Sequence, residues 1–155
     1  MKARYDMVTC YVARPTADGV LGELLQMRRA KGEFLEGAWG TIHGKIEGQE
    51  MAWQAALREL REETGLTPSE FHQLDTINQF YLAADDTVWH VPAFCAVVLR
   101  DVEVTLNDEH DAVRWLPRDR FDKDFLWPGE RHQVAELARE IFDGGPAKAY
   151  LKIHV

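Results

Sequence analysis

Cysteine is scarce in this chain, with two in 155 residues, Cys10 and Cys95. Neither stands at a metal-type spacing and each lies in an apolar, strand-like stretch. Both are therefore expected as buried small hydrophobes rather than disulfide partners or nucleophiles. That usage fits a reducing compartment, and a cytoplasmic location is the expectation. Long apolar runs are missing as well: none approaches the roughly 18 residues of a membrane span, and residues 1–15 contain no signal-peptide core. Basic side chains are in deficit, 18 Lys and Arg against 26 Asp and Glu, for a net charge of −8. This disfavours a nucleic-acid polymer or an anionic membrane as partner, yet leaves room for a small anionic substrate held through a metal ion. Repeats, low-complexity tracts and linkers are absent, so residues 1–155 read as a single domain, long enough to bury a substantial core.

What is present begins with two strand-like stretches, residues 5–13 and 24–29, joined through a turn at residues 16–19. Arg28 and Arg29 close the second; a solvated strand end and a fork for substrate phosphate are both open readings. A glycine-rich, charged loop (31–37) precedes a short strand, Trp39 to His43, that runs into a turn at Gly44. Residues 51–64 make the clearest helix. Trp53, Ala56, Leu57, Leu60 and Thr64 fall on one stripe, Gly65 follows as a left-handed stop, and Pro68 prevents continuation. Residues 71–82 and 87–99 read as two further strands about a turn at 83–86, residues 102–106 as an edge or a continuation, and 109–116 as another strand ended by Pro117. A second amphipathic helix spans 127–142, with Pro128 near its start and Val134, Leu137, Ala138 and Ile141 on its apolar side. The alternation predicts an α/β layered fold with a mixed β-sheet.

The unusual stretch is residues 44–66, GKIEGQEMAWQAALRELREETGL. Glu59, Glu62 and Glu63 stand at i, i+3 and i+4, which puts three like charges on one helix face. A concave site built from them needs a cation, and an all-oxygen donor set suits Mg²⁺ or Mn²⁺ rather than zinc. Arg58, four residues before Glu62, is placed to pair with it.

This stretch resembles the Nudix box. Gly44, five residues, Glu50, seven residues, and then Arg58-Glu59-Leu60-Arg61-Glu62-Glu63-Thr64-Gly65-Leu66 meet every specified position of that 23-residue pattern, with Leu60 and Leu66 at the aliphatic sites. The resemblance implies a Nudix-type α/β/α sandwich and hydrolysis of a P–O–P bridge with Mg²⁺ or Mn²⁺. It implies Glu59 and Glu63 as the main metal ligands with Glu62 beside them, the Gly44 carbonyl as a further ligand, Arg58 as the arginine that orients the glutamates, and Glu50 as a structural or outer-shell group. A later acid often joins such sites; Glu109 is the candidate base or extra ligand, with a surface strand end as its bland alternative. Glu109-His110 followed by the Trp115-Leu116 strand looks like the branch that cleaves dATP or dihydroneopterin triphosphate. His43 stands where the family often has glycine, and either narrows the turn or touches a phosphate. Trp39, Phe80, Tyr81 and Trp127 are aromatics able to stack on a base, although burial in the core is the simpler reading; Phe80 and Tyr81 are the pair singled out for substrate.

The expected activity is release of pyrophosphate and a monophosphate from a nucleoside or pterin triphosphate. The alternatives are ADP-ribose, a dinucleoside polyphosphate or an oxidised nucleotide as substrate, or a nucleotide-sensing module without catalysis. The intact carboxylate set speaks for an enzyme. A homodimer is compatible with all of these.

Overall fold

In the computed structural model, which describes residues 1–155, the main sheet is mixed. Its strands are β2 (Met7–Pro15), β3 (Leu21–Arg29), β4 (Trp39–Gly40), β5 (Ile42–Lys45), β6 (Glu70–Gln73), β9 (Ala93–Val97), β10 (His110–Pro117) and β11 (Lys152–Ile153). They run in the order β10-β3-β2-β9-β6-β11, with β2 and β9 parallel and the other pairs antiparallel. A separate three-stranded sheet, β1-β8-β7, joins β1 (Lys2–Arg4), β7 (Asn78–Leu82) and β8 (Thr87–Val91).

Strand alternation sends side chains to two cores, one on each face of the main sheet. Val8, Cys10 and Val12 of β2 and Phe94 and Ala96 of β9 meet Ala55, Ala56 and Leu60 of α1 (Ala52–Thr64). Tyr11 and Ala13, with Ala93, Cys95 and Val97, meet Val134 and Leu137 of α2 (Pro128–Leu137) and Ala138 and Ile141 of the π-helical turn that continues it (Ala138–Phe142). The sheet is thus sandwiched between helices, and the expected α/β/α fold is present. Cys10 and Cys95 are buried, unpaired, and belong to opposite cores, which is why they do not bond.

One irregularity creates the functional cleft. β2 pairs with β3 only over its last residues, Ala13 to Pro15. Before that the two strands part, and β4 and β5 fill the gap: β4 bonds to β3, and β5 to β2, with Thr9 opposite His43 and Val8 opposite Gly44. The box glycine is therefore carried by a short strand in a splayed part of the sheet.

Three expectations about elements are corrected. Residues 71–82 are two strands in different sheets, because the chain turns at Asp75-Thr76, where Glu136 accepts both backbone N–H groups at 2.9 and 3.3 Å. Residues 87–99 break at Pro92, which has no N–H to donate to a ladder. Residues 102–106 form no strand; Val102, Val104 and Leu106 pack on the α1 core, and Thr105 N–H donates to Thr64 O at 2.9 Å. Beyond the π-helical turn lie a short helix, α3 (Lys148–Leu151), and β11. No helix is long and apolar enough to cross a membrane.

Candidate active site

Helix α1 supplies the acids. It starts after Met51, whose backbone N–H donates to Gln54 Oε1 at 2.8 Å, and stops at Gly65, which has φ 71° in the left-handed region. Between those ends Arg58 gathers the carboxylates. Its Nη2 donates to Glu50 Oε1 (2.6 Å) and to the Lys45 carbonyl (2.7 Å), and its Nη1 to Glu59 Oε1 (2.8 Å) and Glu62 Oε2 (3.3 Å). Glu50 Oε1 also accepts from Glu47 N–H at 2.8 Å. The Arg58 guanidinium, followed by that N–H, holds the Glu50 carboxyl below the ordinary carboxylate range, and Glu50 in turn is the main cause of the raised Arg58 pKa. The expected Arg58–Glu62 pair is present, but the shorter bonds run to Glu50, Glu59 and the box loop.

Gly44 is required here for close approach: a methyl group on its Cα would collide with Cγ and Cδ of Glu59. The Glu59 pKa is raised by burial, which outweighs its bond to Arg58, and Glu62 and Glu109 push it in the same direction. Glu63 is 3 % exposed and its Oε2 has no hydrogen-bond partner. Burial first, and then the charges of Glu109 and Glu59, push its pKa up to about 9. Glu109 reaches this region from the loop before β10, where Asn107 Nδ2 donates to its Oε2 at 3.1 Å.

Glu109 thus raises the cost of ionising both Glu59 and Glu63, and Glu59 raises it further for Glu63. A divalent cation relieves that cost, and the unpartnered Glu63 oxygen, the hard-oxygen donor set and the bare backbone at Gly44 fit Mg²⁺ or Mn²⁺. In this structure no three acidic, histidine or cysteine side chains converge at ligand distances. Glu62 in particular is 55 % exposed and turned to Arg58, so coordination by the expected set requires side chains to rotate.

These residues face a cleft of about 1820 Å³ whose lining includes Gly44, Glu59, Glu63 and Glu109 together with Phe80, Tyr81, Trp89, Leu126 and Trp127. Arg29 lines it, although its Nε donates to the Phe34 carbonyl (3.1 Å) and its Nη2 to Glu33 (3.2 Å). Arg28 does not: it pairs with Asp111 at 2.7 Å on the strand surface, the solvated-end reading. Phe80, Tyr81 and Trp127 are exposed and Trp39 is half-buried; all four line the cleft, so the core reading of these aromatics is corrected. The Phe80 ring stacks on Trp89 with centroids 6.3 Å apart, and Tyr81 OH donates to Asp86 at 2.9 Å.

His43 also lines the cleft, with Nε2 2.9 Å from Glu130 Oε1 and Nδ1 3.1 Å from Thr9 Oγ1. Glu130, Gln133 and Glu136, the polar row of α2 at i, i+3 and i+6, are all buried. Sequence reasoning passed over them, since polar residues beside an apolar helical stripe read as solvated. The one available signal was an acid directly after Pro128-Gly129, in a first turn whose dipole favours it.

A sequence profile of the NUDIX domain matches residues 7–137. The chain is 33% identical over 110 residues to the bis(5′-nucleosyl)-tetraphosphatase [asymmetrical] of Sus scrofa, an alignment covering 68% of this chain and 71% of that protein. It is 28% identical over 127 residues to a Mycobacterium tuberculosis protein named "Putative 8-oxo-dGTP diphosphatase 3", covering 81% of this chain and 58% of that one. Its fold is similar to that of a C. elegans Ap4A hydrolase, with TM-score 0.69 and 19% identity over 89% of this chain and 96% of that one.

Proposed function

Since this chain belongs to the NUDIX domain family, whose members it resembles through an intact box, we propose that it hydrolyses the P–O–P bridge of a dinucleoside polyphosphate. The observation that carries the substrate class is the cleft. At about 1820 Å³ it is larger than the roughly 300–1,000 Å³ of ordinary small-molecule sites, and both the carboxylates and the aromatics line it. That is room for a phosphate chain with a nucleoside at each end. The similarity to the tetraphosphatase of Sus scrofa supports this reading. An oxidised nucleoside triphosphate is the second reading, favoured by the likeness to the M. tuberculosis protein. The dATP or dihydroneopterin triphosphate branch, expected from Glu109-His110 and the Trp115-Leu116 strand, finds no such support.

In the proposed reaction Glu59, Glu63 and the Gly44 carbonyl, with Glu62 beside them, would hold the divalent ion. When bound, the ion neutralises phosphate charge and acidifies a water. Arg58 keeps Glu59 oriented while Glu50 and the Lys45 carbonyl hold Arg58 in place. Glu109 accepts the proton of the attacking water; the water oxygen bonds to phosphorus, the bridging P–O bond breaks, the departing phosphate leaves with the electron pair, and Glu109 then returns its proton to solvent. Residues 1–155 act as one catalytic unit on a small nucleotide, and a reducing cytoplasm is the proposed location.

A substrate panel with Mg²⁺, analysed by phosphorus NMR, tests this. Diadenosine tetraphosphate is expected to give ATP and AMP. Preferential release of pyrophosphate from dATP would overturn the substrate assignment, and no hydrolysis of any anhydride would overturn the activity.

A further inference from the structure

We propose that His43 is a positioning residue: its bond to Glu130 pins the first turn of α2 to the box strand and fixes the separation of the cleft walls where the substrate's phosphates lie. The location of the phosphates rests on the proposed function; the bridge itself does not.

The argument starts from strand alternation in β5. Ile42 enters the α1-side core and Gly44 abuts Glu59 of α1, so His43 between them addresses the opposite face, where α2 lies. There Nε2 is 2.9 Å from Glu130 Oε1 and Nδ1 is 3.1 Å from Thr9 Oγ1, the residue opposite His43 in the ladder. A carboxylate only accepts, so Nε2 carries the proton and Nδ1 accepts from the Thr9 hydroxyl. Both ring nitrogens are then engaged and neither is left for a phosphate. Glu130 is 3 % exposed, and its one side-chain partner is His43. A buried carboxylate left without that donor is costly.

The bridge lies between two functional walls. The residue after His43 is Gly44, and three residues before Glu130 is Trp127, exposed on the aromatic side of the cleft. β5 is four residues long and its ladder is to β2 alone, which leaves its placement sensitive to side-chain anchors. Farther along α2, Tyr11 OH donates to Gln133 Oε1 at 2.9 Å, and Glu136 holds the Asp75-Thr76 turn. These bonds keep α2 docked when the His43 bridge is broken, so the loss is local to the first turn and the box strand.

Two substitutions separate the two ring contacts. In His43→Asn the shorter amide still meets Thr9 but stops short of Glu130; in His43→Gln the longer one donates to Glu130 and gives up Thr9. With diadenosine tetraphosphate and Mg²⁺, H43N is expected to lower kcat about 10-fold or more, with KM within about 3-fold, as for displaced reacting groups. H43Q is expected to restore most of that loss. Amide hydrogen exchange, measured without substrate or metal, should quicken over residues 130–134 in H43N and not in H43Q. Glu130→Ala should reproduce H43N, and the double variant should add no further loss. Equal kcat in H43N and H43Q, or unchanged exchange in H43N, overturns the proposal. Should the wild-type chain hydrolyse no anhydride, the proposed function fails while the exchange comparison still decides the bridge.

Discussion

Glu63 carries the sharpest consequence at the scale of single residues. Its carboxyl is raised from the ordinary value of 4.5 to about 9 by burial and by the charges of Glu109 and Glu59. Without metal, folding therefore favours the protonated form. Below pH 4.5 the group is protonated in both states and imposes no penalty; as pH rises toward 9 the unfolded chain alone ionises, and stability falls. Glu63→Gln removes that dependence, so in EDTA at pH 8 its Tm should exceed the wild-type value by at least about 3 °C, with no difference near pH 4. The same variant should lose Mg²⁺-dependent hydrolysis by about 10³-fold or more. Normal turnover would remove Glu63 from the reaction. Glu109→Gln should lower kcat about 100-fold or more, the usual scale of a lost general base, and an unchanged rate would return Glu109 to a surface strand end. The box acids were readable in the chain because their spacing is local to one helix. Glu130 was not, because its partner His43 is 87 residues away and only the fold brings them together.

Among elements, the two glycines that bracket the box serve different physical ends. Gly44→Ala must displace Glu59, and a kcat loss of about 100-fold is expected from a misplaced ligand. Gly65 has φ 71°, and an added Cβ would meet only Thr105 at 3.5 Å. Its replacement by Ala strains the helix stop, with an expected cost of about 1 kcal/mol in denaturant unfolding and little change in kcat. Reversed outcomes would mean that Gly44 is a turn residue and Gly65 a site residue. Helices and the central β2 strand were legible from their apolar periodicity. The break between β6 and β7 was not, since Glu136 of α2, 61 residues downstream of Asp75, takes the N–H groups that a continuous strand would have used. Nor was the insertion of β4 and β5 between β2 and β3, because hydrogen-bond register leaves no local trace in composition.

For the molecule as a whole, the charged and aromatic groups that line the cleft should separate in kinetics. Phe80→Ala and Trp127→Ala are expected to raise KM for diadenosine tetraphosphate severalfold with smaller effects on kcat, because stacking is made equally in ground and transition states. A larger effect on kcat than on KM would place these rings near the chemistry instead. Mg²⁺ added at pH 8 should raise the wild-type Tm through preferential binding to the folded state, and raise it less in Glu63→Gln. An equal rise in both proteins would show that Glu63 does not take part in holding the ion.

The sequence by itself determined the box, the metal class that its oxygens suit, the helix that presents them and the α/β layering, since each is written in residue spacing along the chain or in the alternation of its elements. Tertiary structure decided which acids face the cleft, turning Glu62 to Arg58 and burying Glu63. It also decided that the aromatics line a wall rather than fill a core. The same holds for the histidine beside the box glycine. Residues 44–66 name the bond to be broken, while the distance between the walls on either side of it is set by groups that meet only when β5 and α2 pack on the same sheet.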